Sequence, residues 1–368
     1  MELNAVICEL NPMHKGHKFI FDSAKELYGN DSVNIAVMSG NFTQRCTPAI
    51  YDKYIRAEAA VKCGADIVVE LPFPWCSSGV EDFALGGVTV AAGFGARRLV
   101  FGSETGDTEL LFRAADAKSS PEYKSAITKA ESDKRELGSA TIFDAVMQSF
   151  GITEPLGAND KLGMEYIRFG RELKICDFRP IKRISEMKSA TELRRMITDA
   201  GISACREYMP DGAYEVFENS TSLSERRFND ILFTHCRLYR GDNDILLYAS
   251  KISRESANAD EFAEALPTKK YTAARLRREI LRSVIGCDMV DGAPRFTVLL
   301  AMNDRGREFL SENKKHFRIP IITKPSDTDV LESIGKRQYE MHLRADELYA
   351  LCQNKPAFEY IKKHPHVM

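Results

Sequence analysis

The chain has 368 residues, of which 44% are hydrophobic and 28% charged, and a formal net charge of −2. These values belong to an ordinary globular protein rather than a disordered chain or a membrane span, and the length exceeds what one core usually serves, so two domains are expected. With no basic field over the whole molecule, any polyanionic partner has to be met by a local patch.

In chain order, AVICEL reads as a short strand. The segment HKFIFDSAKELYG follows as an amphipathic helix with apolar positions at Phe19, Phe21, Ala24 and Leu27 and a stop at Gly29. VNIAVMSG reads as a buried strand, YDKYIRAEAAVKCG as a helix ended by Gly64, ADIVVELPF as a third strand and ARRLVFGSE as a fourth. Strands alternating with helices predict an α/β fold with a doubly wound parallel sheet. Residues 107 to 150 read as a polar helical cap, and SATELRRMITDAG as a further helix. Beyond it the strand signals thin out and the chain reads as mainly helical, with YTAARLRREILRSVIG, RGREFLSENKK and KRQYEMHLRADELYALCQ. A domain boundary is therefore expected near residue 200, dividing 1–200 from 201–368.

The opening residues carry no basic leader and no cleavage site. The nine cysteines form no CxxC and no zinc-ligand pairing, so they are read as reduced thiols and a cytoplasmic location is expected. The histidines beyond residue 200 (His235, His316, His342, His364 and His366) show no clustering with Asp, Glu or Cys. A protein-bound catalytic metal is not expected, and magnesium would arrive with a nucleotide, held by phosphate oxygens and water.

The stretch NPMHKGH, Asn11 to His17, lies between the first strand and the first helix. In open α/β sheets ligands bind there, and helix N–H groups attract phosphate. Pro12 stiffens the loop, and Gly16 allows close approach. Two imidazoles can donate hydrogen bonds to an α-phosphate as charge builds on it; alternatively His14 and His17 only cap or pack against the helix. Ser189 and Thr191 precede another helical run, where hydroxyls and amides could hold β- and γ-phosphates or serve as caps.

His14-Lys15-Gly16-His17 resembles the HxGH motif of the nucleotidyltransferase superfamily, and KSATELR, Lys188 to Arg194, resembles its ISSTxxR-like second element. ELNPMHKGH, MSGNFTQRCTPAIYDKYIRAEAAVKCGADIVVELPF, FGSE, NDKLGMEY and KKYTAARLRREIL together resemble the tRNA(Met) cytidine acetate ligase family across nearly the whole chain. That resemblance implies a Rossmann-like HxGH domain followed by a helical tRNA-binding domain. The implied enzyme activates acetate with ATP to acetyl-adenylate and transfers the acetyl group to N4 of the wobble cytidine of elongator tRNA(Met). It also implies an ATP site running from Ile7 to Ile20, through Cys8, Glu9, Leu10, Asn11, Pro12, Met13, His14, Lys15, Gly16 and His17, with Gly102, Asn159 and Arg183, and with His14 and His17 catalytic. Leu10, Met13 and Lys15 depart from the usual EYNPFHNGH, Cys46 stands where glycine is common, and a GAGYHD-like segment before SATELR is missing.

Arg45, on a loop, is a candidate phosphate or RNA contact, whereas Asp52 and Arg56, four apart, are expected to form a surface ion pair. Gly102 would let a base or ribose lie against the backbone. From Lys269 onward, Arg275, Arg278 and Arg282 share one helical face opposite Leu276, Ile280 and Val284, with Lys269, Lys270 and Tyr271 at its mouth. Cations beside an aromatic suit an RNA backbone with one stacked base. Two alternatives stay open at this point: transfer of AMP or CMP to a small phosphorylated acceptor, and a non-catalytic nucleotide- and RNA-binding module.

Overall fold

A computed structural model describes residues 1–133, 138–184, 186–268, 271–287 and 292–368. Five strands, β1 (Leu3–Cys8), β2 (Val33–Ser39), β3 (Ile67–Leu71), β4 (Arg98–Ser103) and β5 (Asp177–Lys182), run parallel in the order β5-β4-β1-β2-β3. All of β2 and β3 is buried, and so is β1 up to Ile7. Strands covered on both faces read as continuous apolar runs, which is why they were visible in the sequence.

Helices α1 (Lys15–Tyr28), α2 (Lys53–Lys62) and α3 (Val80–Gly93) follow the first three strands. Helices α4 (Thr108–Ser119), α5 (Pro121–Asp133) and α6 (Ser139–Ser149) make the expected polar cap, and α7 (Ala158–Glu172) leads into β5. The turn Gly29, at φ +85°, ends α1, and Gly201, at φ +83°, ends α8 (Ala190–Ala200). Sequence analysis left α3 unassigned because VEDFALGGVTVAAG is apolar all round. Its two central glycines allow the helix to lie flat on its neighbours. A Cβ on Gly86 would come 2.7 Å from the Trp75 side chain, and one on Gly87 would come 2.8 Å from Ile7.

After residue 200 the chain is mainly helical, through α9 (Asp211–Glu218), α10 (Arg226–Leu238), α11 (Asp244–Glu255), α12 (Ala259–Ala265) and α13 (Ala273–Ile285). It then returns to the sheet, which the sequence reading did not foresee. Strand β6 (Thr297–Met302) pairs antiparallel with β3, α14 (Asp304–Asn313) follows, and β7 (Ile321–Ile322) and β8 (His366–Val367) both pair with β6, separated by α15 (Ser333–Cys352). The buried run TVLLAM covers what would otherwise be the open edge of β3.

The two halves are also joined by charge. Lys53 Nζ, on α2, lies 2.7 Å from Glu70 Oε2 on β3 and 2.6 Å from Asp346 Oδ2 on α15, all three side chains being buried. Burial alone would lower the Lys53 pKa, but Asp346 and Glu70 raise it, so the ammonium stays charged. Asn41 completes the group, donating to Asp346 Oδ1 at 2.9 Å and accepting from the Lys53 backbone N–H at 2.9 Å.

The expected Asp52–Arg56 surface pair does not form, because α2 is enclosed on nearly every side. Arg56 is 0% exposed. It donates to the carbonyls of Tyr51 (2.9 Å), Glu9 (2.6 Å), Ser39 (3.1 Å) and Gly40. Asp52 instead caps α2, accepting from Tyr54 and Ile55 N–H, and pairs with Lys363 at 2.9 Å. The carbonyls of Ser39 and Gly40 thus serve the fold rather than a ligand.

Candidate active site

At the carboxyl ends of β1, β4 and β5, where they meet the starts of α1, α7 and α8, lies a cavity of about 320 Å³. It is lined by Ile7, Cys8, Glu9, Leu10, Asn11, His14, Gly16, His17 and Ile20 from the first strand, loop and helix, and by Gly102, Asn159, Arg183, Ser189, Thr191 and Arg45 from elsewhere. Pro12 and Met13 are buried behind the loop, and Lys15 is exposed beside a different hollow with Lys18 and Arg206. These three belong to the loop's framework rather than to the cavity wall.

His14 is the N-cap of α1, its Nδ1 accepting from Gly16 N–H at 3.0 Å. A ring that accepts at Nδ1 carries its proton at Nε2, so the cap sets the tautomer and leaves Nε2–H as a donor. His17 stacks on His14 with ring centroids 3.8 Å apart, and its Nδ1 is buried with no partner. Burial, then the Arg183 charge, lowers the His14 pKa to about 4; burial, His14 and Arg183 push His17 well below its ordinary value. Both rings are therefore neutral at pH 7. Gly16 has no room for a side chain, since its Cβ would sit 2.9 Å from the His14 ring.

The start of α8 closes one wall. Ser189 and Glu192 form a reciprocal capping box, so the cap is realised here without any ligand. Arg194 donates to the Asn11 carbonyl at 2.7 Å and to Thr191 Oγ1 at 3.1 Å, with Arg45 at 3.4 Å from the same hydroxyl. This brings the two motif segments together around one space. The connection from β5 to α8 is short where the GAGYHD-like segment is missing, and Arg183, Ile184, Met187 and Lys188 line the cavity directly.

Glu104 was missed, although FGSE was singled out for its glycine. Its carboxylate accepts from Asn159 N–H (3.0 Å), Asp160 N–H (3.0 Å) and Asn159 Nδ2 (2.9 Å), and Arg183 lies at 3.8 Å. A carboxylate on the first amides of α7 is a favoured helix contact, and it holds Asn159 and Arg183 in place. The only sequence signal for it was an acidic residue straight after a strand.

The cationic face expected on α13 is rearranged. Arg278 donates to the carbonyls of Ser77 (3.0 Å) and Ser78 (3.2 Å), and Arg282 to Ser78 Oγ (3.2 Å), so both anchor α13 to the loop after β3. Arg275 remains exposed, over the ring of Tyr271 at 5.0 Å. Lys269 and Lys270 lie outside the described residues. Cys46 takes φ +58°, the left-handed conformation that favours glycine, and its thiol meets the Ser77 carbonyl at 3.0 Å. A wider open groove of about 1340 Å³, not foreseen from the sequence, carries Arg226, Arg227, His235 and Lys355 between α10 and the end of α15.

His342, read as unclustered, lies 3.7 Å from Glu70 and 3.6 Å from Asp346. These three could surround a cation, but Lys53 Nζ stands among them, 3.4 Å from His342 Nε2. Among the described residues no helix is long and apolar enough to cross a membrane.

A family model described as HIGH Nucleotidyl Transferase matches residues 1–364. A protein named tRNA(Met) cytidine acetate ligase from Thermoanaerobacter sp. (strain X514) is 31% identical over 96% of each chain. One of the same name from Listeria welshimeri is 28% identical over 96% of this chain and 95% of its own. Among solved structures, that of Thermotoga maritima TmcAL bound with alpha-thio ATP superposes with a TM-score of 0.90 at 26% identity, covering 100% of this chain and 99% of that one.

Proposed function

Since the chain belongs to the tRNA(Met) cytidine acetate ligase family of HIGH nucleotidyl transferases, we propose that it joins acetate to ATP and passes the acetyl group to N4 of the wobble cytidine of elongator tRNA(Met). The observation that carries the reading is the pair of neutral, stacked imidazoles at the start of α1. Such rings donate hydrogen bonds without bringing a charge of their own to be desolvated, and they suit an α-phosphate whose equatorial oxygens gain charge in the transition state.

In this reading the adenosine lies along β4, against the backbone of Gly102, with Asn159 and Arg183 at its edge. The triphosphate runs over the α1 amides, His14 and His17. Acetate oxygen attacks the α-phosphorus in line, the bond to the β-phosphate oxygen breaks, and pyrophosphate leaves past Ser189 and Thr191 at the start of α8. Magnesium enters with the nucleotide, on phosphate oxygens and water. The acetyl-adenylate then meets the cytidine amine, and AMP departs.

Arg45, at the cavity mouth, and Arg275 beside Tyr271 are proposed RNA contacts, joined by Lys269, Lys270 and the groove cations Arg226 and Arg227. Arg278 acts on RNA only by fixing α13. The test incubates the protein with ATP, magnesium and acetate, with and without unmodified tRNA(Met). Acetate-dependent pyrophosphate release and N4-acetylcytidine are expected; turnover that ignores acetate would reject the reading.

A further inference from the structure

The cavity draws residues from two sets of strands. Gly102, Glu104 and Arg183 come from the β4 and β5 side, and Glu9, Gln44 and Arg45 from the loops after β1 and β2. In the second group, the Gln44 backbone N–H donates to Glu9 Oε1 at 2.7 Å, which locks the two residues side by side. Glu9 Oε2 has no partner among the hydrogen bonds of the described residues. Gln44 Nε2 is buried, lines the same cavity through its residue, and meets no acceptor. A buried amide donor left unpaired is unfavourable, so it calls for an acceptor from outside the chain, a ligand or a water. The other cavity carboxylate, Glu104, is already saturated by the start of α7.

We propose that Glu9 and Gln44 read the amino edge of the acceptor nucleobase: Glu9 Oε2 accepts from the exocyclic amine, and Gln44 Nε2 donates to the ring nitrogen beside it. Cytosine presents that donor next to that acceptor; uracil presents a carbonyl next to N–H and opposes both groups. A site built from such paired polar groups rejects a mismatched edge strongly, because its own groups stay unpaired. The inference rests on the ligase reading and extends it to chemistry.

The lone pair of an exocyclic amine is delocalised into the ring, so the amine is a poor nucleophile until a base draws on its N–H. With Glu9 accepting that proton, the N4–carbon bond forms at the acetyl carbonyl. The carbon–oxygen bond to the adenylate phosphate then breaks, AMP leaves with the electron pair, and the proton passes from Glu9 to water. Arg194, whose charge interacts with Glu9, stands on the same side, where an RNA backbone would enter.

Full-length Glu9→Gln, Glu9→Asp and Gln44→Ala proteins test this through acetate-dependent ATP–pyrophosphate exchange and single-turnover transfer to an unmodified tRNA(Met) transcript. Glu9→Gln keeps an oxygen for the Gln44 N–H and is expected to lose about a hundredfold more in transfer than in exchange. Glu9→Asp recovers part of that loss, and Gln44→Ala raises the KM for the transcript about tenfold. Circular dichroism reports that each variant is folded. Equal loss in both assays for Glu9→Gln, or unimpaired transfer, would overturn the proposal. Wild-type protein lacking acetate-dependent exchange would instead refute the ligase reading, and this inference with it.

Discussion

Two polar clusters flank the same sheet, and they are finished in opposite ways. Around Lys53, every charged group has found its counterpart within the chain: Glu70 and Asp346 pair with the ammonium, Asn41 donates to Asp346, and His342 stands beside the ammonium. Around His14 and His17 the chain leaves polar atoms over, among them His17 Nδ1 and Gln44 Nε2, which are buried without partners. A closed cluster holds two parts of the chain in one register, whereas an open one is complementary to something that is not the chain. Burial of polar groups is shared by both, so burial alone does not distinguish a lock from a site; satisfaction of the hydrogen bonds does.

The sharpest way to break this contrast is Lys53→Met. It leaves Glu70 and Asp346 buried together without their cation, and a loss of about 3–5 kcal/mol is expected in urea unfolding. A loss below about 1 kcal/mol would mean that the cluster is not a lock. His17→Ala is the mirror experiment. It should lower adenylate formation about 10²–10³-fold, the scale of one transition-state donor, while moving the urea midpoint far less than Lys53→Met does.

Acid sharpens the comparison further. His14 is held neutral in the fold down to about pH 4, while in the unfolded chain it protonates near 6.5. Between those values the unfolded state binds more protons, so stability falls as pH falls through that window, by an amount on the order of 3 kcal/mol. His14→Asn retains a capping side chain and should flatten that slope in melts taken from pH 7 to 4. The smallest effect is expected from Arg278→Ala. Removing its two carbonyl contacts should cost about 1–2 kcal/mol, visible in thermal melts, with tRNA affinity reduced less than by Arg45→Ala.

Much of the fold was legible because its causes are local. β2 and β3 are continuous apolar runs, α1 has an apolar stripe and a glycine stop, and α8 carries its own capping box. The cavity was legible in part for the same reason: NPMHKGH and KSATELR are contiguous segments, and most of their residues face one space. Glu104 escaped notice because its role depends on the amides of Asn159 and Asp160, far along the chain. Arg56 and Arg278 were misread as surface cations because helical spacing reports which residues share a face, not what that face meets.

From the amino-acid order alone followed the parallel strand–helix alternation, the HxGH loop and the family resemblance, since each is written in neighbouring residues and short-range periodicity. Only the tertiary structure decided that β6 returns to the edge of β3, that Lys53 is enclosed by residues of β3 and α15, and that Glu9 and Gln44 stand side by side with one donor unspent. Those outcomes depend on which distant groups satisfy each other's hydrogen bonds and charges, and no local pattern in a sequence carries that information.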